Sequence, residues 1–301
     1  MLTIDPKETP IPTLHGYLTS AVGPRPIAFA STIDKDGVPN LAPFSFFNVF
    51  GANPPILVFS PARSGKTTLA KDSHLNVLEV PEVVINVVTY DILEQTILTS
   101  AAFDIGVDEF TKSGLTPIAS DLVKPFRVKE SPVQMECKVL QVIETGQGGA
   151  AGNLVICEVV RMHIDESVLD ENQLIDPLKI DLVGRLGRDW HCRPHTNTHN
   201  SMFQMKQVLR DVVIGYDQIP QDIKESSVLS AKDIYKLGMI KELPNETDVN
   251  EYKLIELSEL FISLEDEASE LEQELHKIAK KHIENNELEL AWKTLLTFNN
   301  Q

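Results

Sequence analysis

Residues 133–144, Val-Gln-Met-Glu-Cys-Lys-Val-Leu-Gln-Val-Ile-Glu, and residues 153–164, Asn-Leu-Val-Ile-Cys-Glu-Val-Val-Arg-Met-His-Ile, flank the run Gly146-Gln147-Gly148-Gly149-Ala150-Ala151-Gly152. Both flanks are apolar and β-branched, and the glycines between them permit a reversal of the chain. The pattern predicts a β-hairpin with a flexible tip. Three more β-rich runs lie upstream, at residues 24–33, 54–60 and 83–90. The first ends in the polar turn Asp34-Lys35-Asp36-Gly37. Helical pieces are short here, expected at residues 67–77 and 92–102. Strands in succession with few long helices specify a mainly β barrel or sandwich and argue against a doubly wound sheet.

The charge balance narrows the partners. Forty-four acidic side chains against 27 basic ones give a formal charge of −17. Such a surface repels phosphate backbones and anionic lipid, so neither nucleic acid nor membrane is an expected partner. No apolar run reaches the roughly 20 residues that span a bilayer, and the acidic, proline-studded N-terminus does not read as a signal peptide. Cys137, Cys157 and Cys192 are too few for a disulfide scaffold. A cytoplasmic location is expected, with Cys137 and Cys157 as core.

Beyond about residue 196 the composition shifts to Glu, Lys and Leu. Leu254, Leu257, Phe261, Leu264, Ala268, Leu271, Leu275 and Ile278 recur at steps of three and four, a heptad-type stripe with Asp248 and Glu251 as a capping box before it. One long helix is expected. Its partner is open between a coiled coil with another chain and its own core. The domains expected are thus 1–200, a β domain, and 201–301, an acidic α-helical extension.

Two segments carry candidate chemistry. The first, Ser60-Pro61-Ala62-Arg63-Ser64-Gly65-Lys66-Thr67-Thr68, follows a β run. Gly-Lys-Thr invites a P-loop reading, but Ser60 replaces the first glycine and Pro61 lacks the amide that a phosphate cradle uses. A strand end, two cations and three hydroxyls before a helix still suit a phosphate group; a solvated loop is the plain alternative. The second, Asn40-Leu41-Ala42-Pro43-Phe44-Ser45-Phe46-Phe47-Asn48, mixes aromatic and polar residues around a proline that bars a central strand. Its amides and hydroxyls beside three phenylalanines could recognise a flat heteroaromatic ring, or the rings could be core.

Pro24-Arg25-Pro26 with Ala30-Ser31-Thr32, Asn40-x-Ala42-Pro43-x-Ser45, Lys71-Asp72-Ser73-x-x-Asn76, the strand ending at His163 and Ile164, and Gly184-Arg185-Leu186-Gly187-Arg188-Asp189-Trp190-His191-Cys192-Arg193 occur in an order that resembles the flavin reductase-like family. The resemblance covers residues 14–193. It implies an FMN-binding split β-barrel of Greek-key type with short helices, working as a homodimer with FMN near the interface. It implies that Ser31, Thr32, Asn40, Ala42, Pro43, Phe44 and Ser45 border the flavin ring. Ser60, Arg63, Lys71, Asp72 and Ser73 lie on its phosphate side, and His163 stands near the flavin. Ser73 replaces the family's more common threonine. Arg188 stands where the family usually has a second glycine, and His191 where it has tyrosine.

The function implied is an FMN-dependent oxidoreductase. NADH or NADPH would act as transient electron donor, and a small molecule as acceptor. No catalytic side chain is assigned, because placement and electrostatics suffice for flavin chemistry. The alternatives are a non-catalytic FMN-binding electron carrier, and a scaffold acting through the heptad helix. His191, Cys192, His195 and His199 offer four metal-type ligands in nine residues, but Pro194 interrupts any helix that would align them, and no metal is assigned.

Overall fold

The computed structural model describes residues 1–104, 106–194, 202–204 and 212–299. The chain separates into two units. One comprises Met1–Ser100, Asp104–Phe110 and Leu115–Gln207; the other comprises Ala101–Phe103, Thr111–Gly114 and Val208–Gln301.

The first unit opens with a helix, α1 (Ile11–Ala21), then β1 (Ala28–Ile33), β2 (Pro39–Phe44), β3 (Phe47–Ala52), β4 (Pro55–Phe59), α2 (Asp72–Glu79) and β5 (Glu82–Val87). There follow α3 (Leu93–Leu98), α4 (Glu109–Ser113, of which Thr111–Ser113 count with the other unit), the short pair β6 (Pro117–Ile118) and β7 (Arg127–Val128), and the long pair β8 (Val133–Glu144) and β9 (Asn153–Ile164). A small sheet of β10 (Gly184–Arg185), β11 (Trp190–Cys192) and β12 (Met202–Gln204) closes it.

Seven strands form one antiparallel sheet in the order β2-β1-β5-β8-β9-β4-β3. The β8–β9 hairpin is where the alternation placed it, and its tip lies between Glu144 and Asn153. Side chains two apart share a face. Ala28 and Ala30 of β1, Leu57 and Phe59 of β4, Val83 and Ile85 of β5, Met135 and Cys137 of β8, and Val155 and Cys157 of β9 all enter one buried cluster. Strands from both halves of the sheet therefore curl around a common core. Pro43 lies in β2, an edge strand, where a missing amide costs no ladder bond.

Local expectations shift in four places. The helix expected at 67–77 begins only at Asp72, because residues 60–71 form a turn with Thr68 at φ +61. The segment expected at 92–102 is the six-residue α3. Helix α1 was not legible: its start is proline-bounded and most of its side chains are exposed. The heptad helix is broken.

In the second unit the described helices are α5 (Gln221–Lys224), α6 (Ala231–Leu237), α7 (Glu246–Glu256), α8 (Ser258–Ser263), α9 (Ala268–Glu284) and α10 (Leu288–Asn299). The stripe is cut at Leu257 and again at residues 264–267, where Glu265, Asp266 and Glu267 place like charges side by side. Leu257, Leu271 and Leu275 are buried with Tyr252, Phe261 and Phe298, so most of the stripe packs within its own chain, while its first residue, Leu254, is exposed. The cap is one turn earlier than expected: Asn245 Oδ1 accepts the Asp248 amide at 2.9 Å. A second cluster gathers Ile223, Leu237, Ala279, Ile283 and the fully buried Trp292, whose Nε1 donates to the Leu237 carbonyl at 3.0 Å.

Candidate functional site

The β1–β2 pairing sets Thr32 opposite Asn40, on the face that bears Ala28 and Ala30. Helix α2 adds Ser73 and Asn76. Asn40 Nδ2 donates to Ser73 Oγ at 2.8 Å and to Thr32 Oγ1 at 3.1 Å, and Asn76 Nδ2 donates to the same Thr32 oxygen at 3.1 Å. All four side chains are buried. Such a network holds only if its members are mutually satisfied, so it fixes the start of α2 against the two strands.

Beside it runs the loop of residues 60–71, gripped by the hairpin tip. Ser60 Oγ accepts the Asn153 amide at 3.1 Å, and Asn153 Nδ2 donates to the Pro61 carbonyl at 3.0 Å. The Arg63 amide donates to the Ala151 carbonyl at 2.9 Å, and the Ala150 amide to the Arg63 carbonyl at 3.2 Å. Gly149 suits this close approach: a Cβ would stand a tight 3.2 Å from the Gly65 carbonyl oxygen and 3.3 Å from that of Ser64.

The Arg63 guanidinium is incompletely paired. Nη1 makes a long bond of 3.3 Å to the Thr68 carbonyl, Nη2 lies 3.8 Å from Glu144 Oε1, and Nε is buried with no hydrogen-bond partner. A buried donor left so costs about 1–3 kcal/mol, and more when charged. A phosphate oxygen is the acceptor that suits it, so the residues present fit the phosphate end of FMN. Lys71 is exposed just before α2. Burial raises the Asp72 carboxyl, with the Lys71 charge opposing.

The remaining ring-side candidates divide between the two faces of β1 and β2. Ala42 and Phe44 share the face of Thr32, and Phe44 packs on Phe59 with ring centres 5.7 Å apart, so this phenylalanine is core. Ser31 and Pro43 face the other way, and Ser31 Oγ is buried without a partner. Ser45, just past β2, accepts from Arg25 Nε at 3.5 Å. Arg25 also holds the Thr19, Val22 and Leu186 carbonyls, a structural role.

The structure does not bring His163 to this group. It shares a sheet face with Gln134 and Glu136, opposite to Met135 and Cys137 in the core. Its Nε2 lies 2.6 Å from Glu136 Oε1. Burial works to raise the Glu136 carboxyl, but the Asp121 and Leu122 amides and His163 together hold it low. Asp121, Glu136 and His163 present ligand atoms within 4.8 Å of one another, yet Arg161 pairs with Asp121 at 2.6 Å. That arrangement is a satisfied ion-pair cluster.

Several residues of the site were not foreseen. Glu144 gathers His74 Nε2 at 3.1 Å and Gln147 Nε2 at 2.5 Å, and these bonds, Gln147 first, hold its carboxyl low. Glu109 accepts the Leu41 amide at 2.9 Å beside Asn40; burial pushes its carboxyl up to about 7, against that hydrogen bond. His74 lies 70 positions from Glu144 and Leu41 68 from Glu109, with no local motif to flag either pairing.

In the small sheet, Arg188 sits at φ +55, the left-handed region that glycine occupies without strain. His191 is buried, its Nδ1 3.2 Å from the Asp189 carbonyl oxygen. Burial and then the Arg185 charge push its pKa down to about 4. His191 and Cys192 are adjacent in β11 and point to opposite faces; His195 and His199 lie outside the described residues.

Comparison with known proteins agrees with this architecture. The family model described as "Flavin reductase like domain" matches residues 22–179. A protein of Aquifex aeolicus is 38% identical over 187 residues, covering 62% of this chain and 93% of its own. The crystal structure of nitrilotriacetate monooxygenase component B from Bacillus cereus superposes with a TM-score of 0.61 at 30% identity, over 66% of this chain and 98% of that one. The 2-nitrobenzoate 2-nitroreductase of Pseudomonas fluorescens gives 0.57 at 26% identity, over 70% and 99%. A split barrel domain protein of Shewanella frigidimarina gives 0.55 at 25% identity, over 64% and 93%. The fold is a split β-barrel, and its class is that of the flavin-dependent oxidoreductases. The chain belongs to the flavin reductase-like family.

Proposed function

We propose that this chain binds FMN at the junction of the 60–71 loop, the start of α2 and the β1–β2 rim, and passes electrons from NADH or NADPH to a small-molecule acceptor. The observation that carries the reading is the buried, unpartnered Arg63 Nε in a loop already shaped by Ser60, Asn153 and Gly149. Arg63, with Ser60, Lys71, Asp72 and Ser73 around it, forms the phosphate side. On the ring side stands the β1–β2 rim, with Thr32, Asn40, Ala42 and Phe44 on one face, Ser31 and Pro43 on the other and Ser45 just past its end, while His163 stays apart on Glu136. FMN, when bound, supplies the two-electron carrier. The chain's own part is to orient it: Asn40 locks α2 to the strands, Arg63 offers a charged donor, and Phe44 and Phe59 exclude water from the wall behind.

A homodimer belongs to the same proposal. Phe46, Val49 and Phe50 are exposed on and beside edge strand β3, and Leu140, Ile143 and Leu154 on the β8–β9 hairpin, a surface that a second copy would cover. The name of the Bacillus cereus relative, a monooxygenase component, supports an acceptor outside the chain. Residues 1–200 would hold the flavin, and 201–301 form an acidic helical extension. Three free cysteines suit a cytoplasmic setting.

The test is an absorption titration with FMN, then anaerobic NADH and NADPH. Flavin bands should shift on binding and bleach with one nucleotide. Bound flavin that stays oxidised with both would reassign the chain as a carrier. No spectral shift at all would overturn the reading. Replacing Arg63 and Ser73 together by alanine should weaken FMN binding at least about tenfold.

A further inference from the structure

We propose that Glu144 is an internal counter-anion to the phosphate cradle, which sets how tightly FMN is held relative to unphosphorylated flavin. The inference rests on the FMN reading above. Glu144 ends β8, where the strand enters the hairpin tip, and its Oε1 reaches to 3.8 Å from Arg63 Nη2. That separation is too long for a hydrogen bond and short enough for an ion pair. The carboxylate is not free to swing aside. His74, buried on α2, donates Nε2 to it at 3.1 Å, and Gln147 donates from the tip at 2.5 Å. Both bonds keep it ionised.

A flavin monophosphate carries about −1.5 to −2 charges near pH 7. To settle on Arg63 it must share the guanidinium with a fixed carboxylate and tolerate that like charge nearby. The cradle thus meets the ligand with its main cation already partly neutralised. Riboflavin, lacking the phosphate, feels none of this. Glu144 therefore lowers the preference for FMN over riboflavin and keeps FMN exchangeable.

Glu144→Gln keeps the shape of the side chain and an oxygen for His74 while removing the charge. Titration of the full chain with FMN and with riboflavin, followed by flavin fluorescence, reads the effect. The Kd for FMN should fall five- to tenfold in E144Q, with that for riboflavin unchanged. Placed in an Arg63→Ala background, the substitution should give a gain of less than twofold. An FMN Kd that stays the same or rises would refute the proposal, as would equal changes for both flavins or a gain that survives without Arg63. If neither protein binds FMN, the flavin site itself falls, a result distinct from binding that ignores Glu144.

Discussion

Glu109 sits under edge strand β2 with its Oε2 on the Leu41 amide, next to Asn40 of the network that holds α2. Its folded pKa of about 7 stands well above the ordinary 4.5. Between those values the unfolded chain has released the proton and the folded chain still binds it. Stability contributed by this group is therefore full below about pH 4.5 and is lost as pH rises through 7. A difference of about 2.5 units is worth about 3 kcal/mol at 1.36 kcal/mol per unit. Glu109→Gln removes the titration and keeps an oxygen for Leu41. Urea unfolding of the flavin-free protein at pH 5 and pH 8, with and without the substitution, isolates this group from other titrations. The variant should gain about 2–3 kcal/mol relative to the native chain on going from pH 5 to pH 8. A shift below about 0.5 kcal/mol, or one of opposite sign, would refute the assignment of a buried, proton-holding carboxyl.

Three further outcomes are expected. Asn40→Ala strips the Ser73 hydroxyl of a donor and should cost about 1–3 kcal/mol in urea unfolding, while loosening α2 in hydrogen exchange. His191, with its folded pKa near 4 against an unfolded value of 6.5, stays neutral in the fold, so its contribution is lost as pH falls from about 6.5 to 4; His191→Phe should flatten that acid limb by up to about 3 kcal/mol in melts across the range. Trp292→Ala empties the centre of the helical cluster and removes the bond to Leu237, and should lower stability by about 3–5 kcal/mol, read by helical circular dichroism.

The strands of the barrel were legible because each writes its burial into alternating side chains. The hairpin of residues 133–164 announced itself through its glycines, and Pro43 correctly pointed to an edge. Arg63 drew notice through its charge beside a strand end, and Ser73 only through the order of motifs. Their working partners were not legible. Asn40 meets Ser73 across 33 positions, and Ser60 meets Asn153 across 93, so only the packing of α2 and the pairing of β4 with β9 join them. His163 shows the limit of motif order: a histidine in the expected strand can face either side, and here Glu136 claims it. The heptad stripe failed for a simpler reason, since apolar spacing records which side chains are buried but not whether the backbone between them stays helical.

The β8–β9 hairpin changes partners along its length. Near its base β8 pairs with β5 through residues 134–138, while near its tip β9 pairs with β4 through residues 155–158. The two register irregularities of the hairpin, at Glu136/Cys137 and Val139/Gln141, fall at this handover. Thr32 and Asn40 ride on the half attached through β5, and Ser60 and Arg63 on the half attached through β4. The hairpin is in effect a torsion bar between the two jaws of a clamp. Deleting one residue at 140 should rotate one jaw against the other and weaken FMN binding in the absorption titration, although the deletion touches neither Asn40 nor Arg63.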